Sequence, residues 1–259
     1  MFTYLLRRLN LFLATSLVMV GVLFYATGLF PVERTYALTG IHTPTASQLV
    51  QIEQDYKLDK NQAWQFIAYL QQRLSGNLGI SVTSHQEVAE ELSAVLPASF
   101  ELAVMAGIIA ICLGVPLGVL ASQSQHKLTQ NTIMAITLTG YSVPVFWLGL
   151  YLSLWFGVDL GWLPISGQIN LLYEIKPVTG FMLVDTLLSE SEYGMSAFKD
   201  ALLHIILPAT TLAVLPFTVV VRSTRSAMVN VMNQTFIRAA EARGMHTGTI
   251  ILRHALPNA

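Results

Sequence analysis

Residues 102–125 read LAVMAGIIAICLGVPLGVLASQSQ, 24 positions without a charged side chain. A helix of about 20 apolar residues crosses the hydrocarbon core of a bilayer. Inside that core every backbone N–H and C=O must find its partner within the segment. Leu102–Gln125 is therefore expected to be a membrane-spanning helix. Three more uncharged windows repeat the argument: Leu9–Phe30 with 22 residues, Leu128–Val158 with 31 and Ala201–Val221 with 21. The 31-residue window is long for one helix. Its span is placed at 131–157, with the end running into an outer loop. The expectation is an all-α membrane protein, a helical bundle with four transmembrane helices in this chain.

Composition agrees. The 259 residues are 53% hydrophobic and 11% charged, against about 25% charged in a soluble domain. Mean hydropathy is +0.56. A net charge of −1 with no basic run speaks against nucleic acid as a partner. The one cysteine, Cys112, forms no intrachain disulfide and is expected to be a small buried hydrophobe. Arg7 and Arg8 precede the first window as in a secretory signal. That window outruns the usual apolar region of about 7–15 residues, and no A-x-A site follows, so it reads as a retained anchor.

Charge sets the orientation. With the N-terminus inside, four spans return the C-terminus inside. The inner segments then hold eight basic residues and one acid, Glu241, while the outer segments hold six basic residues and 14 acids. Lys and Arg concentrate on the inner side of membrane proteins, which favours this topology.

Between the first two windows lies a polar stretch, 31–101, expected to be a small outer helical subdomain. Trp64, Ile67, Ala68, Leu70 and Leu74 recur at helical spacing, which predicts an amphipathic helix ending at Gly76. Ser84 with Glu87 has the capping-box pattern, predicting a second helix that stops before Pro97. The inner turn at His126 and Lys127 is short, making its flanking helices antiparallel neighbours. An outer loop follows at 159–200. Its partly apolar LLYEIKPVTGFMLVDTLLSE is interrupted by charges and Pro177, so it reads as interfacial or packed, not spanning.

No phosphate-binding glycine loop, no H-E-x-x-H and no C-x-x-C occurs, so no catalytic, metal or cofactor-binding residues are assigned. His204 opens the fourth window, where an interfacial structural role fits it. Helix breakers stand within the windows: Pro116 between Gly114 and Gly118, Pro208 and Pro216, and Gly140, Tyr141, Ser142 and Pro144 together. Tyr141, Ser142 and Pro144 are candidates for the wall of a pathway, because broken backbone at membrane depth needs protein or a wet cavity around it. Helix packing is the alternative.

The tail, FIRAAEARGMHTGTIILRHALPNA (236–259), differs from the rest. Asn233 or Thr235 can cap a helix through Phe236–Arg243 that ends at Gly244. Phe236, Ile237 and Ala240 would share its apolar face, with Arg238 and Glu241 outward. Thr247 or Thr249 can start a second helix, which Pro257 closes or kinks. Such an inner helix pair can dock into a groove of another protein or lie flat on anionic lipid, and the two readings stand even.

The tail resembles the cytoplasmic coupling loop of bacterial ABC-transporter permeases, EAA-x3-G-x9-I-x-L-P. Aligning Gly244 puts Arg238, Ala239 and Ala240 on the first triplet, His254 on the Ile position and Leu256-Pro257 on L-P. Arg for the triplet's Glu is like the dipeptide/oligopeptide permease branch. LSGNLGIS, LPASFELA, GVPLGVLA, SVPVFWLGL, GWLPISG, HIILPATTLA and RSTRSAM follow that branch in order and spacing, and LLYEIKPVTGF looks most like the Sap-type peptide permeases. The resemblance implies a multi-pass bacterial inner-membrane permease subunit that is not itself an enzyme. Its domains would be an N-terminal transmembrane anchor (1–30), a periplasmic subdomain (31–101) and a permease domain (102–259). The coupling loop at 230–259 would carry Phe236, Ile237, Arg238, Ala239, Ala240, Gly244, Leu256 and Pro257 to the partner. The implied partners are cytoplasmic ABC ATPase subunits, a second homologous permease, a periplasmic solute-binding protein and membrane lipid. The implied cargo is peptide, including antimicrobial peptide, with putrescine export as the alternative; a membrane-anchored sensor or scaffold is the reading from another class. Family members continue past L-P with two more spans, so the resemblance also implies a chain truncated of those spans.

Overall fold

In the computed structural model the residues described are 2–27, 34–41, 44–81, 83–124, 126–189 and 193–259. The end of the first window (28–30), the start of the outer subdomain (31–33), Gln125 and residues 190–192 of the outer loop lie outside them. The regular structure of the described residues is helical, with a single isolated β-bridge, Ile80 with Glu87. The chain divides into two compact units, Met1–Val95 and Leu96–Ala259.

The first unit opens with α1 (Phe2–Thr27), followed by α2 (Arg34–Thr39), α3 (Ala46–Asp55) and α4 (Gln62–Leu74). Thr45 and Gln48 form a reciprocal capping box that starts α3, a helix the sequence reading passed over. Helix α4 is where the spacing placed it, begun by Asn61, whose side chain accepts the Trp64 N–H. The five residues that set its spacing divide between inside and outside, with Leu70 half-buried. Gln65 and Ala68 are buried, with Phe66 and Tyr69 half-buried, whereas Trp64, Ile67 and Leu74 are exposed. Gln65 goes inside because its amide donates to the Leu58 and Lys60 carbonyls at 3.1 and 2.7 Å. Arg73 donates to the Leu38 and Asn77 carbonyls, binding α2 to the end of α4.

The second unit is built on two long helices, α5 (Val88–Gln123), which begins in the first unit, and α9 (Gly194–Met232). The helix expected to start at Ser84 and stop before Pro97 does neither. Ser84 donates to Glu91 instead of capping, and α5 runs unbroken through Pro97 and Pro116. The Pro97 ring is seated against Gly180 of the outer loop, where a Cβ would come within 2.9 Å of it, so tertiary packing overrides the local break. Cys112 is also not buried but exposed on α5.

The 31-residue window folds as two helices, not one. α6 (Lys127–Ser142) ends at Val143, and α7 (Val145–Leu152) starts at Pro144 and continues π-helically over Ser153–Asp159. The two are bent by 99°. Among the described residues three helices are long and apolar enough to cross a membrane, Thr3–Ala26, Val88–Gln123 and Gly194–Met232, or four if the bent pair is one span. Small residues bring α5, α6 and α9 together. A Cβ at Gly114 or Gly118 would lie 2.8 Å from Val220 Cγ1 or 2.6 Å from Thr224 Cβ, and Ala121, Ile133 and Val221 form a core. The Thr218 hydroxyl bonds the Thr137 carbonyl across the α6–α9 contact at 3.1 Å.

The outer loop is packed only in part: Asp185 and Thr186 are buried, whereas Leu171, Leu172 and Val178 are exposed. Its short helix α8 (Met182–Leu188) lies against α9. Glu101 of α5 accepts the Met182 and Leu183 N–H groups at 3.1 and 2.7 Å, capping α8. Asp185 is buried and accepts from the N–H groups of Val178, Thr179 and Gly180 and from the Thr179 hydroxyl. Burial pushes its pKa up, but the Thr179, Gly180 and Val178 hydrogen bonds outweigh this and hold it below the ordinary aspartate value. A lowered carboxyl pKa stabilises the loop above the unfolded pKa, and that contribution fades as pH falls through the folded pKa. Asp185→Ala, which strands these donors, is expected to cost about 3 kcal/mol. Protease sensitivity confined to the 171–189 segment in the folded protein measures it.

Candidate functional site

Helix α9 is 39 residues long, roughly 58 Å. It outruns the hydrocarbon core of about 30 Å and carries the tail beyond it. Asn233, expected as a cap for the next helix, instead bonds the Val229 carbonyl at the end of α9. Gln234 takes the cap position of α10 (Thr235–Ala242), with no side-chain bond. The helix ends as expected at Gly244, with φ +75. The Gly244 N–H donates to the Glu241 carbonyl at 2.8 Å and the Met245 N–H to the Ala240 carbonyl at 3.3 Å, the paired bonds of a Schellman motif. A Cβ at Gly244 would meet nothing within 4 Å, so only backbone conformation demands glycine there. Gly244→Val is expected to cost about 1–2 kcal/mol locally, read as faster amide exchange in 240–250 with the spans unchanged.

The second helix begins at Thr247. Its cap is His246, whose Nδ1 accepts the Gly248 N–H at 3.2 Å; the threonines do not serve as caps. This element, α11 (Thr247–Thr249), continues π-helically over Ile250–Ala255 and closes in a 3-10 turn, Leu256–Asn258, that contains Pro257. It packs on α10.

One apolar cluster fixes the pair. Met228 of α9, Ile237 and Ala240 of α10, and Ile250 and Ala255 of the second helix are buried together, with Val119 of α5, Val231, Met232, Met245 and Leu256 packed around them. The seat on α5 and α9 escaped the sequence reading, although Met228, Val231 and Met232 continue the apolar spacing of α9. Ile237 and Ala240 thus face the chain's own helices. Phe236, expected beside them, is 43% exposed, because a residue one step before Ile237 points about 100° away from it. Arg238, Ala239, Glu241, Arg243 and Gly244 are exposed, and Pro257 lies at the outer surface. Phe236, Ala239 and Arg243 make one outward face, so a partner reaching it would push on a unit already bonded by packing to α5 and α9.

The other candidates sit at the break between α6 and α7. Tyr141 is exposed, Ser142 bonds the Leu138 carbonyl, and Pro144 stands at the N-cap of α7. Gly140 and Gly149, on either side of the break, approach Val214 and Thr211 of α9. His204 Nδ1 lies 2.8 Å from the Asp200 carbonyl and 3.3 Å from its carboxylate, a structural tie.

Comparison with known proteins supplies the family. Residues 114–259 match the model for "binding-protein-dependent transport system inner membrane component". The whole chain is 37% identical to the di/tripeptide transport system permease protein DppB of Pseudomonas aeruginosa, covering 76% of that protein. It is 44% identical over 71% of its length to the putrescine export system permease protein SapB of Escherichia coli K12, covering 57% of it. It is 41% identical over 76% of its length to the peptide transport system permease protein SapB of Salmonella typhimurium, covering 61%. The chain therefore spans about three quarters of the first relative and less than two thirds of the two SapB proteins. The helical spans, the broken α6–α7 pair, the tail's helix pair and these likenesses converge: the chain belongs to the family of inner-membrane permease components of binding-protein-dependent transport systems.

Proposed function

We propose that this chain is a peptide-transport permease subunit, multi-pass in the bacterial inner membrane with its N-terminus in the cytoplasm. In this reading its tail couples a separate cytoplasmic ATPase to the spans. One observation carries the reading: α10 is locked by Ile237 and Ala240 to the inner ends of α5 and α9 while Phe236, Ala239 and Arg243 face outward. A groove on the ATPase that takes this outward face moves α9 with it. α9 in turn packs on α6, α7 and α8, so displacement at the tail reaches the break at Pro144 and the outer loop. Transport follows if the closed ATPase favours one of two permease states, which shifts the population between them. A second homologous permease would complete the pathway beside Tyr141, Ser142 and Pro144, and a periplasmic solute-binding protein would deliver cargo.

Peptide is the cargo named for the DppB relative and for one of the SapB relatives; the other is named for putrescine export. Glu101 and Asp200, which immediately precede two of the uncharged windows, are committed to local bonds, Glu101 to the start of α8 and Asp200 to the Asn170 N–H and His204, which supports ATP over proton coupling as the energy source. The test is to purify the intact protein from its host and identify the chains that come with it, then follow labelled tripeptide and labelled putrescine in vesicles. ATPase chains with ATP-dependent tripeptide movement are expected. ATP-dependent putrescine movement alone would change the cargo, and absence of any ATPase would remove the reading. For topology, a reporter active only in the cytoplasm is expected to be silent when fused at Lys60; activity there would invert the orientation.

A further inference from the structure

The first unit leaves one side of α4 uncovered, and its position against α1 says what lies there. Tyr69 meets Phe24 of α1, with ring centroids 5.3 Å apart. Phe66 meets Phe24 at 5.4 Å and reaches further along α1 to Gly21, where a Cβ would lie 3.6 Å from it. Gly21, Phe24 and Tyr25 lie in the C-terminal half of the apolar run of α1. α4 therefore rests on that half of α1. Round α4 from Phe66, the next positions are Leu74, Ile67 and Trp64, with exposed Gln71 among them. Ala68 and Gln65, which come next after Trp64 round the helix, are buried in the unit.

Leu74, Ile67 and Trp64 are 86%, 41% and 51% exposed. Val18, Val22 and Tyr25 of α1 are exposed as well, and Tyr25 stacks on Phe66 at 6.2 Å. Lys57 sits 5.7 Å over the Trp64 ring, a cation beside an aromatic of the kind that anchors proteins at the membrane interface. We infer that α4 is an interfacial helix: Trp64, Ile67 and Leu74 insert into the acyl–headgroup boundary of the bilayer at the C-terminal end of α1, and the unit is seated on lipid through them. Burial of about 5–10 Å is the usual depth for such a helix. The inference holds for either orientation of α1 and for any cargo.

The full chain in lipid nanodiscs tests it. With Trp64 as the sole tryptophan (Trp147→Phe, Trp155→Phe, Trp162→Phe), lipids brominated near the glycerol end of the acyl chain are expected to quench its fluorescence about twofold. In a Cys112→Ser background, Leu74→Cys is expected to react with a water-soluble maleimide about tenfold more slowly than Glu53→Cys on exposed α3. Should the triple replacement fold poorly, a nitroxide on Leu74→Cys, read for oxygen against a water-soluble nickel relaxant, asks the same question with all four tryptophans present. Fast labelling without quenching places the face in water, and slow labelling without quenching places it under protein. Quenching with fast labelling confines contact to Trp64. Each of these three results overturns the proposal.

Discussion

Gly118→Leu is expected to leave almost no folded protein in the membrane. At Gly118 an added Cβ would lie 2.6 Å from the Thr224 Cβ and 2.8 Å from the Val221 carbonyl oxygen of α9. Neither can yield by a rotamer change, because the Thr224 Cβ is fixed by its own backbone and the Val221 carbonyl is backbone inside the continuous helix α9. Gly114, one turn earlier, meets Val220 at 2.8 Å. Together they form the G-x-x-x-G spacing that lets two membrane helices approach closely. Forcing α5 from α9 also separates Ala121 from Val221 and strips Val119 from the tail's cluster. The expected cost is about 3 kcal/mol, the upper range for overpacking. Gly107→Leu is the control, because a Cβ there meets nothing within 4 Å. Size-exclusion of detergent-solubilised, fluorescently tagged protein should show a monodisperse peak for Gly107→Leu and aggregate for Gly118→Leu. Equal peaks would mean that the α5–α9 crossing is not built on these glycines.

Ala240→Asp is expected to abolish ATP-driven transport while the spans insert normally. Ala240 is 7% exposed in a cluster with Met228, Ile237, Ile250 and Ala255. A carboxylate buried there without a partner costs several kcal/mol, so the helix pair leaves its seat instead. Ala239→Asp, on the outward face, is expected to stop transport by another route: the pair stays folded, but the proposed ATPase groove would meet a charge in place of a methyl group. Limited proteolysis separates the two. The tail of Ala240→Asp should be cut readily and that of Ala239→Asp should resist. Normal transport in Ala240→Asp would show that the seat on α5 and α9 carries no coupling.

What could be read from sequence followed from local chemistry. Uncharged windows gave the membrane class, since that signal depends only on length and the absence of charge. Pro144 marked the α6–α7 break, and Gly244 marked a turn that only its positive φ requires. What could not be read depended on neighbours distant in sequence. Pro97 looked like a stop, but the Gly180 loop that accepts its ring lies far along the chain. Trp64, Ile67 and Leu74 had the spacing of a buried face, yet Gln65 is the residue held inside by two carbonyls. Gly114 and Gly118 were noticed for the proline between them, and their shared spacing was the unread signal. In the tail the residue set was legible but not its division. Ile237 and Ala240 turn inward and Phe236 outward because Met228 and Val119 supply the wall, and neither lies in the motif.

The most direct test of the coupling role is a photo-crosslinking amino acid placed at Phe236 and, separately, at Ile237, in cells that make the whole transport system. The account predicts that Phe236 captures an ATP-binding chain, with a yield that changes between nucleotide-free and ATP-trapped states, and that Ile237 captures only the chain's own α5 or α9. Capture of the ATPase from Ile237 and not Phe236, or of no ATPase from either, would contradict it.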